Sequence, residues 1–158
     1  MTTEWIRASM LSLLAVAVTS CGGSTPGPSP VSSLDLNGTW SGMVGAGSGG
    51  GNALRVTWTA SQAGSNLSGP VTLLTSPAVT GITFSGTLTG SLTGSQLALT
   101  YSARAEGAAG STGCTASGSG SATAGSSMIS GTLVVSFASC ETLGLQPPAR
   151  NELTLTKP

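Results

Sequence analysis

The chain has 158 residues, enough for one domain, and its five basic and five acidic residues leave no net charge. Charged residues are only 6% of the sequence, which argues against nucleic-acid binding because that binding needs basic patches. There is no histidine, and the acidic and basic residues are scattered, so catalytic pairs, triads and metal sites are hard to build. We therefore expect a protein that is not an enzyme and uses no cofactor.

Residues 1–20 have the pattern of a secretory signal peptide. Arg7 precedes the apolar run "MLSLLAVAV", which is too short to cross a bilayer comfortably. The segment "VTSC", ending at Cys21, resembles the bacterial lipobox. The resemblance implies that the Cys21 thiol receives a diacylglyceryl group and that the chain is cut before it and acylated. The alternative is an ordinary secretory signal followed by an incidental cysteine.

An N-terminal lipid anchor would attach the protein to a membrane, since each buried methylene contributes about 0.8 kcal/mol. The resemblance therefore implies a location in the bacterial cell envelope. Gly22 follows the cysteine where an Asp would resemble an inner-membrane retention signal, so the outer membrane is favoured. Residues 21–33 continue as "CGGSTPGPSPVSS", which predicts a flexible tether, and the folded domain is expected to span 34–158.

From Leu34 onward, apolar residues alternate with serine and threonine, a period of two that indicates half-buried strands. Gly-Ser pairs at 64–65, 94–95 and 125–126 suit two-residue hairpin turns. The pattern predicts about eight strands, at roughly 37–45, 53–62, 66–74, 81–93, 96–104, 113–123, 127–138 and 151–157.

Each hairpin turn fixes a register that puts apolar residues together on one face. The pairs expected around the three turns are Trp58 with Val71, Leu73 with Val56, Leu92 with Leu97, Leu88 with Tyr101, Ile129 with Ala122, Leu133 with Gly118, and Val135 with Ala116. A slip of one residue would turn the apolar face of a strand to solvent.

Strands that follow one another through hairpins form a meander, and about eight of them can close into an up-and-down antiparallel barrel. Two packed sheets, a β-sandwich, are the alternative. The three Gly-Ser turns fall at one end, the tight end. The longer loops, 46–52, 75–80, 105–112 and 139–150, gather at the other end, which could form a mouth.

The sequence Gly38-Thr39-Trp40 opens the first strand at the tight end. It resembles the G-x-W motif of the calycins, the group of lipocalins, fatty-acid-binding proteins and avidins. The resemblance implies that Trp40 plugs the closed end and that a basic residue near the last strand packs across it, for which Lys157 has the right position and parity. These three residues are expected to be structural. The other lipocalin signature regions and the biotin-contacting aromatic residues of avidins have no counterpart.

Cys114 and Cys140 are the remaining cysteines, and export to an oxidising compartment predicts a disulfide between them. A redox or metal pair is the alternative, but neither a C-x-x-C motif nor a histidine supports it. Four charged residues near the mouth, either solvated or placed to meet a ligand headgroup, are Arg104, Glu106, Glu141 and Arg150.

The inward side chains form either a packed core or a cavity for a hydrophobic molecule. The candidate ligand-lining residues are Trp58, Val71, Leu73, Phe84, Leu88, Leu99, Tyr101, Val135 and Phe137. Our leading hypothesis is a membrane-anchored envelope lipoprotein that binds a small hydrophobic ligand without catalysis. The alternative is a structural module, or one that interacts with proteins or polysaccharide, with a packed barrel and no ligand. A transmembrane barrel is disfavoured because aromatic girdles are missing.

Overall fold

The computed structural model describes residues 34–45, 53–76, 82–107, 112–148 and 151–158. The strands are β1 Gly38–Val44, β2 Ala53–Ala63, β3 Asn66–Ser76, β4 Thr83–Thr93, β5 Gln96–Glu106, β6 Thr115–Ala124, β7 Met128–Leu133, β8 Ser136–Ala138 and β9 Glu152–Thr156. One short 3₁₀ helix covers Glu141–Leu143. Across these ranges, no helix has the length and apolar content needed to cross a membrane.

The strands form one closed antiparallel barrel. From β1 to β7 each strand pairs with the next along the chain, and β9 lies between β7 and β1. Strand β8 is a short extra strand that continues the pairing of β7 along β6. The barrel has no open sheet edge at β1, because β9 occupies that position. The predicted up-and-down barrel is confirmed, and the two-sheet sandwich is excluded.

The first two hairpins have the predicted register. Trp58 pairs with Val71 in the β2–β3 hairpin, and Leu88 pairs with Tyr101 in the β4–β5 hairpin. Gly64 and Gly94 have φ values of 62° and 61°. A two-residue turn with glycine at its first central position requires this left-handed backbone.

The third hairpin differs from the prediction. Ala124 pairs with Ile129, and Ala116 pairs with Phe137 instead of Val135. The turn is centred on Ser126-Ser127, one residue later than expected, because the Gly125 amide donates to the Met128 carbonyl at 2.8 Å. The shift is two residues, so the same side chains still face inward and the apolar pattern cannot detect it.

Several inward glycines lie where the strands approach each other closely. A Cβ atom added to Gly86 would lie 2.8 Å from the Cβ of Ala103, its partner on β5. One added to Gly118 would lie 2.7 Å from Cε1 of Tyr101. These glycines therefore leave no spare volume, and they allow the backbone and a large side chain to approach.

Candidate functional site

The interior of the barrel is the first candidate site, and side chains fill it along the described strands. Eight of the nine candidate ligand-lining residues are at most 3% exposed, and Phe137 is half-buried. A cavity of the size that holds a small ligand, about 300 Å³ or more, would leave accessible surface on the side chains around it. The structure therefore favours the packed-core alternative over the predicted ligand cavity.

Aromatic side chains contribute much of this packing. The rings of Phe84 and Phe137 lie with their centroids 5.5 Å apart and are tilted by 30°. Trp40 and Trp58 are fully buried in the same cluster. The sequence places these residues on the inward parity of four different strands, and the barrel brings them together.

Three buried polar atoms have no hydrogen-bond partner among the described residues. They are Nε1 of Trp58, Oγ1 of Thr75 and the hydroxyl of Tyr101. Burial raises the pKa of Tyr101 far above its ordinary value, because the ionised phenol would lose its hydration. The phenol is thus held in its neutral form inside the barrel.

The tight end is closed by Trp40 and Lys157. The Trp40 indole donates from Nε1 to the Leu36 carbonyl at 2.9 Å. The Lys157 ammonium lies 5.6 Å from the centre of the Trp40 ring, within the range of a cation–π contact. Gly38 lies beside them, and a Cβ there would be 3.1 Å from Cε of Lys157. The structure therefore brings the three predicted closed-end residues together.

The segment 34–37 lies across the tight end and is held there by Gln62. The Gln62 side chain accepts from the Leu36 amide at 2.7 Å and donates to the carbonyls of Leu34 and Gly64 at 3.1 and 2.9 Å. The Gln62 amide donates to Oδ1 of Asn37 at 2.7 Å. We call Gln62 and the segment 34–37 the clasp. The alternation of apolar residues does not predict the clasp, although Gln62, a polar side chain at an inward position of β2, is a signal for it.

Asp35 orders the outer side of the clasp. Its Oδ1 accepts from the backbone amide and the side-chain amide of Asn37 at 2.9 and 2.7 Å. These hydrogen bonds hold the pKa of Asp35 below its ordinary value, and the positive charge of Lys157 acts in the same direction. The carboxylate is therefore ionised at neutral pH.

The predicted disulfide between Cys114 and Cys140 is present at the open end, with the Cα atoms 4.7 Å apart. Both residues are buried. The bond joins the start of β6 to the segment that leads into the 3₁₀ helix, so it holds two chain segments of the open end together. In the chain-entropy model, a loop of this length contributes roughly 3–3.5 kcal/mol.

The structure brings together only two of the four charged residues that were predicted to lie near the mouth. Arg104 and Glu106 lie on the outer face of β5 and both line a cavity of about 490 Å³ at the open end. Glu141 is exposed in the 3₁₀ helix, and no described cavity brings it to the other two. Arg150 and the loops 46–52, 77–81 and 108–111 lie outside the described residues, as do Cys21 and the rest of 1–33.

Within the described ranges, no group of three or more His, Cys, Asp or Glu residues is placed to hold a metal ion. Compared with protein-family models, curated proteins and solved structures, the chain gives no match. The candidate sites therefore rest on the geometry of this chain.

Proposed function

We propose that the protein is a lipid-anchored module of the bacterial cell envelope that contacts another envelope component through the open end of its barrel. It acts as a rigid binding module without catalysis. The observation that supports this most directly is the filled interior, where Trp40, Trp58 and Phe84 have no accessible surface. A packed barrel presents its loops on a fixed scaffold, the arrangement that binding loops commonly use.

The two ends of the barrel support a division of roles. The tight end carries the clasp, which is where the chain enters the barrel from the tether. The twelve residues 22–33 could extend to about 40 Å at most, so this end stays near the membrane if Cys21 is lipidated. The open end then faces away, and the disulfide between Cys114 and Cys140 stabilises its chain segments.

The competing function is binding of a hydrophobic ligand within the barrel. Its support is the pair of unpartnered polar atoms on Trp58 and Tyr101, which could orient a bound molecule. Native mass spectrometry of the protein purified from its own host distinguishes the two. A spectrum that contains only the mass of the protein would favour the packed module, whereas an additional bound mass of lipid size would favour the ligand-binding function.

Site-specific photo-crosslinking in the natural host tests the contact through the open end. A photoreactive residue at Thr112 lies at the open end, and the matched control at Ser126 lies in the β6–β7 turn at the tight end; both positions are exposed. We expect a discrete cross-linked product from position 112 and none from position 126. Products from neither position, or the same product from both, would overturn the proposed use of the open end.

Membrane fractionation tests the anchor separately. Cys21→Ser removes the thiol that the lipobox resemblance assigns to lipidation, so we expect the variant to move from the membrane fraction to the soluble fraction. Ser20→Ala keeps the cysteine and should leave the protein in the membrane. Continued membrane attachment of the Cys21→Ser variant would overturn the lipid anchor.

A further inference from the structure

The cavity at the open end has a well-defined wall beside the disulfide. Its lining residues are Arg104, Ala105, Glu106, Gly107, Thr112, Gly113, Cys114 and Thr115. Cys114 is buried, and its carbonyl accepts from the Ala105 amide at 3.0 Å. This hydrogen bond holds the start of β6 beside β5, and the disulfide joins the start of β6 to Cys140, so the floor of the cavity is fixed.

Two opposite charges face this cavity without a counter-ion from the described residues. Arg104 and Glu106 are two positions apart on β5, so their side chains leave the strand on one face, about 7 Å apart at the backbone. Arg104 pairs with Ser85 and Thr115, and Glu106 pairs with Thr83, so all three cross-strand neighbours are neutral. Neither charge forms an ion pair within the described ranges.

We infer that this cavity binds a small zwitterion of about dipeptide size, with Arg104 on its carboxylate and Glu106 on its ammonium group. A guanidinium binds a carboxylate through two parallel hydrogen bonds, and a carboxylate accepts from an ammonium group. The charged ends of an extended dipeptide are about 6–7 Å apart, close to the spacing of the two side chains along the strand. The hydroxyls of Thr112 and Thr115 can both donate to and accept from a peptide group.

The charges also exclude other ligand classes. A simple anion would meet Glu106 and a simple cation would meet Arg104, so a ligand with one charge gains one contact and loses the other. An aliphatic ligand would have to desolvate both charges without compensation. The inference concerns the same end as the proposed partner contact, but it requires neither a lipid anchor nor a protein partner.

Titration of the full chain carrying Cys21→Ser, followed by amide NMR, tests the inference with three probes. The probes are alanyl-alanine, its N-acetyl derivative without the ammonium group, and its C-terminal amide without the carboxylate. We expect saturable shifts at residues 104–107 and 112–115 with alanyl-alanine, and affinity weaker by about fivefold or more for each blocked probe.

Two variants test which side chain binds the carboxylate of the probe and which binds its ammonium group. Arg104→Gln should weaken alanyl-alanine binding and remove the preference over the amide, while keeping the preference over the acetyl derivative. Glu106→Gln should also weaken alanyl-alanine binding, but it should remove the preference over the acetyl derivative and keep the preference over the amide. Arg55→Gln, which removes an exposed arginine on β2, is the control and should bind like the natural chain.

Absence of a saturable shift up to about 50 mM alanyl-alanine would overturn the inference. It would also be overturned if all three probes bound equally, or if Arg55→Gln weakened binding as much as Arg104→Gln. None of these outcomes bears on photo-crosslinking from Thr112, so failure here and failure of the proposed partner contact are distinguishable.

Discussion

The ammonium group of Lys157 lies over the indole ring of Trp40, 5.6 Å from the ring centre, and so joins the residue that follows β9 to the first strand. Trp40 also donates to the Leu36 carbonyl, so its indole contacts both the segment before β1 and the segment after β9. The same region contains the clasp, so both chain ends of the folded domain are fixed at one end of the barrel.

Replacing Lys157 should weaken this closure by a modest amount. Lys157→Met keeps the aliphatic stem over Trp40 and removes the charge, so we expect the free energy of unfolding to fall by about 0.5–1 kcal/mol. Lys157→Arg retains a cation and should lose less. Urea denaturation measures both changes, and an equal loss in the two variants would contradict a charge-dependent contact.

Replacing Gln62 should have a larger effect. Gln62→Leu removes three side-chain hydrogen bonds and leaves the Leu36 amide without this acceptor, so we expect a loss of about 2–3 kcal/mol. Hydrogen exchange of the Leu36 amide should accelerate at the same time. Gln96→Leu is the matched control, because Gln96 makes one long contact of 3.4 Å with Thr123 at an exposed site. Equal losses in the two variants would show that the clasp contributes little.

Adding a methyl group at Gly86 should disturb the packing of β4 against β5. Gly86→Ala places a Cβ against the backbone carbonyl oxygen of Ser102 and 2.8 Å from the Cβ of Ala103, so we expect destabilisation of about 1–3 kcal/mol in thermal unfolding. Gly125→Ala is the control, since the nearest atom to a Cβ there is the Met128 carbonyl oxygen at 3.4 Å. A tolerated Gly86→Ala would mean that the barrel can expand at this position.

The buried Tyr101 should make stability depend on alkaline pH. Its pKa is raised in the folded protein, so its contribution is fully present below about pH 10, the ordinary pKa of the unfolded side chain, and is lost as the pH rises through the folded value. The chain has one tyrosine, so absorbance of the ionised phenol reports this residue alone. Ionisation near pH 10 without unfolding would contradict the burial.

The variant Tyr101→Phe isolates the contribution of the phenol. It should remove the part of the stability loss at alkaline pH that comes from ionisation of the phenol. It should also raise the free energy of unfolding at neutral pH by about 1 kcal/mol, because the hydroxyl has no hydrogen-bond partner among the described residues. A decrease in stability at neutral pH would show that the hydroxyl is satisfied.

The barrel could be predicted from the sequence because inward and outward side chains alternate without interruption along each strand. The β4–β5 pairing, for example, follows from the Gly94 turn and the apolar positions on both sides of it. The register at Ala124 and Ile129 could not be predicted, because a shift of two residues keeps every apolar side chain inside. The register of the β6–β7 pair depends on the turn geometry at Gly125, and an alternation of apolar and polar residues carries no information about that geometry.

The candidate sites were less accessible from the sequence. The positions of Lys157 and Trp40 follow from parity and strand order, whereas the clasp depends on the path of the segment 34–37 before the first strand. Likewise, the sequence predicts that Arg104 and Glu106 lie near the mouth, but the cavity that they share depends on how the end of β5 and the start of β6 are arranged in space. Whether the interior is filled depends on rotamers, which a list of inward residues does not specify.

The pairing of β1 with β9 has a consequence for the order in which the protein folds. The hydroxyl of Thr156 donates to the carbonyl of Ser41, 115 residues earlier in the chain. Hairpins such as β4–β5 need only local contacts and can form soon after their residues are available, whereas closure needs both termini of the domain. Until then, β1 and β7 have unpaired backbone groups that could bind other chains. The final strand is therefore expected to control both the slowest folding step and the interval during which the chain can aggregate.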